Sequence, residues 1–455
     1  MNENITCDVV VIGAGVSGLT AADDLRKAGL NVTVLEARDR VGGRLWTQVI
    51  DGATLELGGQ WVSPDQDALI KMLGQLNLET YERYREGDSV YVGRDGATRR
   101  FTGDIFPAAP ETQREIERLI GLIDELSTEV NPAAPWTHPR ANDLDIISFW
   151  SWLTEQTADE EARDNIALFV ADAMLTKPAH TFSVLQALMM ASSAGGFMRL
   201  VEADFILDRR VIGGLQQVPL RLAESLGDDV KLSQPVRRLQ WSDSGVTATT
   251  DSFTVTARFA IAAIPPVLHG RIDYQPPLPR AQHQLHQHLS FGLVIKVHAV
   301  YEKPFWRDNG LSGTAFSPYN LVHEAYDNTN YEDTRGTLVG FVSDIKAGDV
   351  LSLGPDERRK AVLESLASYY SPDALDPIVY YESDWAAEEW TRGAYAVSFD
   401  LGGLVRYGPT LREPVGPIWF SSSDLAGEGY QHVDGAIRVG HETAAAIIEK
   451  FSVEN

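Results

Sequence analysis

The sequence is short of cysteine, of positive charge and of long apolar runs. Cys7 is the single cysteine among 455 residues. That excludes a disulfide framework and any cysteine-based metal centre. Lysine and arginine total 39 against 64 acidic residues, a formal net charge of −25. Phosphate backbones demand concentrated cations, so no nucleic-acid partner is expected. No apolar run reaches the length of a membrane span, which argues against a membrane partner. The N-terminal MNENITCDVVVIG has no basic region and no small-residue cleavage site, so no secretory signal is expected. The expected setting is therefore soluble and cytoplasmic. Internal repeats and low-complexity tracts are also lacking.

What is present is a globular composition, 44% hydrophobic and 23% charged, in a chain long enough for two or three domains. The opening reads as β-α-β. CDVVVIG is a continuous apolar strand containing Cys7, Ser17 to Ala28 has helical spacing, and NVTVLEA is the next strand. Residues 66–205 read as mainly helical. Strands follow near 230–250, 257–264, 290–301 and 336–344, with a closing amphipathic helix after residue 434. His283, His286 and His288 look like metal ligands, but their spacing does not share one helix face, and no metal is expected.

Between the first strand and helix lies Gly13-Ala14-Gly15-Val16-Ser17-Gly18. These glycines allow a tight turn and bring backbone amides to a pyrophosphate at a helix N-terminus. Glu36 closes the second strand, where a carboxylate accepts from adenosine ribose hydroxyls. NAD and FAD both satisfy that pattern. The next residues, Glu36-Ala37-Arg38-Asp39-Arg40-Val41-Gly42-Gly43-Arg44, add paired glycines and a guanidinium fork, a second phosphate clamp.

This segment resembles the extended FAD fingerprint of the flavin-dependent monoamine oxidase family. Gly58-Gly59-Gln60-Trp61 is similar to the motif whose backbone runs beside the flavin. Arg210 to Gly214, Pro235-Val236 (Val236 against adenine) and Ala262 to Pro266 are similar to later family segments. So are Phe291 to Lys296, Trp385 and Ser421 to Gly440, the last including Ser423, Asp424 and Val433. The fold implied is α/β: a Rossmann-type FAD-binding domain with an interleaved substrate domain of mixed sheet plus helices. The boundaries expected are 1–80, 205–285 and 390–455 for the FAD domain, with 81–204 and 286–389 for the substrate domain. The reaction implied is oxidation of an amine C–N bond, with O2 as acceptor and aldehyde and hydrogen peroxide as products.

The resemblance also assigns roles. Lys296 is implied to act beside the flavin N5. From pattern alone it is equally a strand residue facing solvent, because it alternates with Ile295 and Val297. Tyr395 is implied to be one wall of an aromatic cage. The preceding Ala394 stands where some relatives have a flavin-linking cysteine, so FAD is expected to be noncovalent. The second wall is either His432 or Tyr430. Counting back from Asp434 favours His432, with Tyr430 shaping the cavity nearby. Glu324 is expected to anchor the distal ammonium of a diamine, since burying that charge unpaired is costly. The expected substrate is a short aliphatic diamine, putrescine first. Another amine, a polyamine or an L-amino acid remains open, as does a non-catalytic FAD scaffold. A homodimer is expected from the family alone.

Overall fold

The computed structural model describes residues 3–202, 205 and 207–454. Two sheets organise it. The first is all parallel, in the order Val230–Lys231, Val32–Leu35, Val9–Ile12, Phe259–Ala262 and Ile418–Phe420. Val9–Ile12 and Val32–Leu35 are buried throughout, as continuous apolar strands in a parallel sheet covered on both faces must be. The helices Val16–Lys27 and Val433–Glu454 pack together on this sheet. At Gly440 a Cβ would fall 2.7 Å from the Ser17 carbonyl oxygen, so that contact needs glycine.

The second sheet has seven strands, in the order Val379–Asp384, Val294–Tyr301, Gly336–Ser343, Glu324–Asp327, Leu311–Phe316, Asp88–Val92 and Thr98–Phe101. It is mixed, with the pair Leu311–Phe316 and Asp88–Val92 parallel. The helices Pro110–Ser127, Ala141–Ile146, Phe149–Gln156, Glu160–Ala167 and Val184–Ser193, and the π-helical Leu168–Leu175, form a block with its own apolar core.

Two expectations are corrected here. Residues 66–205 are not mainly helical throughout, because Thr80–Glu82, Asp88–Val92 and Thr98–Phe101 are strands. The last two form a hairpin whose register pairs Ser89 with Phe101 and Val92 with Thr98, and strand partners more than 200 residues away complete the sheet. Cys7 lies outside the strand predicted for it, between Glu3–Thr6 and Val9–Ile12, which belong to different sheets. The expected domain limit at 204, with 203 and 206, lies outside the described residues. Among those described, no helix is long and apolar enough to cross a membrane.

Candidate active site

A cavity of about 530 Å³ runs from the carboxyl ends of the parallel strands to the face of the mixed sheet. Ligands in open α/β sheets bind at that strand end. All the predicted site residues except Ala14, Gly18, Asp424 and Tyr430 form its wall.

At the parallel-sheet end the first glycine turn is packed on its neighbours. Gly13 has φ +109°, and a Cβ there would meet the Ala263 carbonyl oxygen at 2.5 Å. A Cβ at Gly15 would meet nothing within 4 Å, whereas one at Gly43 would lie 3.4 Å from the Gly15 Cα. The two glycine loops thus flank one open space. Glu36 is buried, accepting from the Ala14 amide at 2.7 Å and the Arg38 amide at 2.8 Å. Burial raises its pKa. Ala14 and Gly18 stand behind the wall, where a Gly18 Cβ would collide with the Gly13 carbonyl.

Arg44 links this loop to the residues around Tyr395. Its guanidinium donates to the Tyr395 carbonyl at 2.7 Å, to Ser423 Oγ at 3.0 Å and to Asp424 at 2.6 Å. Asp424 also accepts from Ser422 Oγ at 2.5 Å and from the Val397 amide at 2.8 Å. Its acceptor capacity is therefore spent on protein, and it stands one layer back from the cavity.

The middle of the cavity is aromatic. Trp61 meets Tyr326 and Phe341 at centroid separations of 5.6 and 6.0 Å, and Phe341 meets Tyr395 edge-on at 6.2 Å. Lys296 enters from the sheet, fully enclosed. Its Nζ donates to the Glu56 carbonyl at 2.7 Å, the Gly58 carbonyl at 2.8 Å and Gln60 Oε1 at 2.5 Å. Gln60 Nε2 in turn donates to Asn328 at 2.7 Å, which fixes the orientation of that amide. Burial lowers the Lys296 pKa to about 7, with Glu56 opposing the shift and Arg210 assisting it. The solvent-facing alternative for Lys296 is thereby removed. Trp385 donates Nε1 to the Leu57 carbonyl at 2.9 Å.

His432 reaches the wall and Tyr430 does not. His432 Nδ1 donates to the Tyr430 carbonyl at 2.9 Å, and burial lowers its pKa, favouring a neutral ring. The Tyr430 side chain turns into the core of the helical block, where its hydroxyl donates to the Val397 carbonyl. The expectation that Tyr430 shapes the cavity is corrected. Gly429 at φ +66° and Gln431 at φ +64° turn the backbone on either side of Tyr430, and Tyr430 and His432 then face opposite ways.

At the far end, Glu324 is 6% exposed and contributes its carboxylate to the wall. Tyr326 donates its hydroxyl to Glu324 Oε2 at 2.7 Å. Burial first, and then Glu324, raise the Tyr395 pKa well above its ordinary value. The three histidines of the helix Arg280–Gln287 and its end diverge: His286 stacks on His269 at 4.5 Å, and His288 pairs with Asp400 at 2.7 Å.

Some wall residues lay beyond sequence reasoning. Phe169, Ala173 and Met174 come from the π-helical Leu168–Leu175, in an apolar run without a readable polar face. Tyr326 and Phe341 arrive by long-range strand pairing, Arg83 from the segment just after Thr80–Glu82, and Gln431 by the turn before the last helix.

The residues present fit an FAD. Two glycine loops flank one space, a buried carboxylate closes its ribose end, and two polar atoms near the wall, Trp61 Nε1 and Gln431 Oε1, are buried with no protein partner.

Comparison with known proteins agrees. Residues 16–448 match the family described as flavin containing amine oxidoreductase. The putrescine oxidase of Kocuria rosea is 57% identical over 453 residues, covering 97% of this chain and 95% of that protein. A putrescine oxidase solved with putrescine bound superposes with a TM-score of 0.97 at 61% identity, over 98% of this chain and all of the other. The cyclohexylamine oxidase of Brevibacterium oxydans IH-35A superposes with a TM-score of 0.93 at 31% identity, over 98% and 99% of the two chains.

Proposed function

This chain belongs to the flavin containing amine oxidoreductases, and we propose that its substrate is a short aliphatic diamine, putrescine first. The products are the aminoaldehyde, ammonia and hydrogen peroxide, with O2 as acceptor. The observation that carries this reading is Glu324, a buried carboxylate in the cavity wall. A monoamine presents only an alkyl tail there, and such a tail gains nothing from a buried charge. A diamine presents an ammonium, and the pair offsets the desolvation of both ions.

The redox chemistry, acceptance of hydrogen and electrons from the amine C–H bond and their transfer to oxygen, would be supplied by a bound FAD. The protein supplies the rest. Gly13, Gly15 to Ser17 and Gly42 to Arg44 line the pyrophosphate space, with Ala14 and Gly18 supporting the turn from behind, and Glu36 lines the ribose end. Ala37, Arg38 and Val236 line the adenine end. Gly58 to Trp61, Trp385, Ser423 and Val433 border the flavin space. Tyr395 and His432 present ring faces that orient the reacting amine, the neutral imidazole avoiding repulsion of a cationic substrate. Lys296, poised near neutrality, holds or releases a proton beside the reacting centre. With Ala394 offering no sulfur, the FAD is noncovalent.

We also assign residues 1–80, 205–285 and 390–455 to the FAD-binding unit and 81–204 and 286–389 to the substrate unit. Every strand of the parallel sheet falls in the first set and every strand of the seven-stranded sheet in the second. A cytoplasmic homodimer in polyamine catabolism completes the proposal, and light scattering tests its oligomeric state. Anaerobic titration of the holoenzyme with putrescine, cadaverine, spermidine and tyramine tests the function. Bleaching of the flavin band at the lowest concentration by putrescine or cadaverine is expected. Preferential bleaching by tyramine, or none at all, overturns it.

A further inference from the structure

His323 precedes the proposed ammonium anchor and takes no part in the chemistry above. It is 1% exposed, and neither ring nitrogen has a hydrogen-bond partner. Its Nε2 lies 3.5 Å from Glu324 Oε1. Further charged groups face it from two other elements. Asp172, on Leu168–Leu175, interacts electrostatically with His323, Glu324 and Lys346. Asp344, at the start of Asp344–Leu351, interacts with His323, Asp172 and Lys346. Lys346 is held by the carbonyls of Pro318 and Asn320 at 2.6 and 2.7 Å. Outside them, Tyr319 donates to Asp164 at 3.0 Å. On the cavity side Glu324 meets Tyr326 and Tyr395.

A buried carboxylate without a counter-charge is costly. Without a diamine, Glu324 has the Tyr326 hydroxyl for a hydrogen bond, while the guanidinium on that side, Arg83, lies over the Tyr326 ring, 5.2 Å from its centroid. A protonated His323, 3.5 Å away, supplies a counter-charge. When an ammonium reaches Glu324, two cations compete for one carboxylate. We propose that His323 is the resting counter-ion of Glu324 and a specificity-determining residue for diamines: the substrate's distal ammonium takes its place, and the His323 proton passes to solvent. The exchange balances, since one cation enters the site and one proton leaves. Asp172 is half-buried, whereas His323 and Glu324 are buried. Burial raises the Asp172 pKa, and burial followed by Asp172 raises that of Asp344 to about 7.

This inference rests on the diamine reading of Glu324, and the test separates the two. The ratio of kcat/KM for putrescine to that for n-butylamine cancels the ionisation shared by reacting amines. An imidazole changes charge between about pH 5 and 8. Over that range the ratio is expected to rise with pH in the native holoenzyme, by up to about tenfold per unit, the limit for one linked proton. It is expected to be flat in H323Q. A flat native ratio, or the native slope kept in H323Q, overturns the assignment. If E324Q keeps the diamine preference, the diamine reading itself falls. If E324Q loses it while H323Q keeps the native slope, only the counter-ion role falls. A measurement on the native protein guards against a misfolded variant: calorimetry of putrescine binding to the dithionite-reduced holoenzyme, in two buffers of different ionisation enthalpy. Proton release is expected, and none overturns the proposal.

Discussion

Lys296 and Glu324 stand in one row of the seven-stranded sheet, each directly paired with Phe341 on the strand between them. Paired residues share a sheet face, and two strand spacings separate the outer pair by about 10 Å. One face of one sheet therefore carries a lysine of depressed pKa and a buried carboxylate, with an aromatic ring between. That is the layout an oxidase needs to hold a substrate at one end and react it at the other.

Lys296→Met removes the proton carrier and leaves the glycine loops intact. FAD content is expected to stay native, while one half-reaction slows by about 10²–10⁴-fold, the usual share of a positioned acid or base. In the native enzyme that half-reaction should titrate near pH 7, and in the variant the inflection should vanish. Stopped-flow reduction and reoxidation across pH check it; unchanged rates in both halves refute the role.

The same lysine makes stability depend on pH with a definite sign. Its folded pKa of about 7 lies below the ordinary 10.5, so between those values the unfolded chain binds more protons than the folded one. The native protein is penalised most below about pH 7 and recovers as pH rises toward 10.5. Relative to Lys296→Met, its Tm should climb over that interval. Parallel melting curves would show that the lysine is not buried as described.

Asp424 serves the cofactor through Arg44. Asp424→Ala leaves a partly buried guanidinium unpaired, which costs about 3 kcal/mol, and frees Arg44 to leave the Tyr395 carbonyl and Ser423. Lower Tm together with loss of FAD on gel filtration is expected. Tight FAD with native Tm would contradict that coupling.

Ala394 provides no thiol beside the flavin space, so acid denaturation should release all of the FAD into the supernatant. Flavin that stays with the precipitated protein contradicts noncovalent binding.

Much of this site was legible because its signals are local. The glycine turn and Glu36 occupy 24 consecutive residues that form one β-α-β unit, and Lys296 is the one lysine, arginine or carboxylate in the strand Val294–Tyr301. Asp88–Val92 was missed although DSVYV and a glycine turn mark a hairpin, because its place in the sheet depends on Leu311–Phe316. Tyr430 was misdirected because two positive-φ residues, Gly429 and Gln431, flank it and decide which way it faces. Asp424 has the position expected of a cofactor ligand in the sequence, yet its bonds go to Arg44, Ser422 and Val397. That distinction exists only in three dimensions.

The anchoring of a distal ammonium by Glu324 is tested most directly by E324Q, which keeps the shape and removes the charge. With FAD content native and Lys296 untouched, kcat/KM for putrescine should fall by about thirtyfold or more, the equivalent of about 2 kcal/mol for a buried charge pair. The value for n-butylamine should hold or rise. An unchanged putrescine KM in E324Q, with the diamine preference intact, would contradict the account.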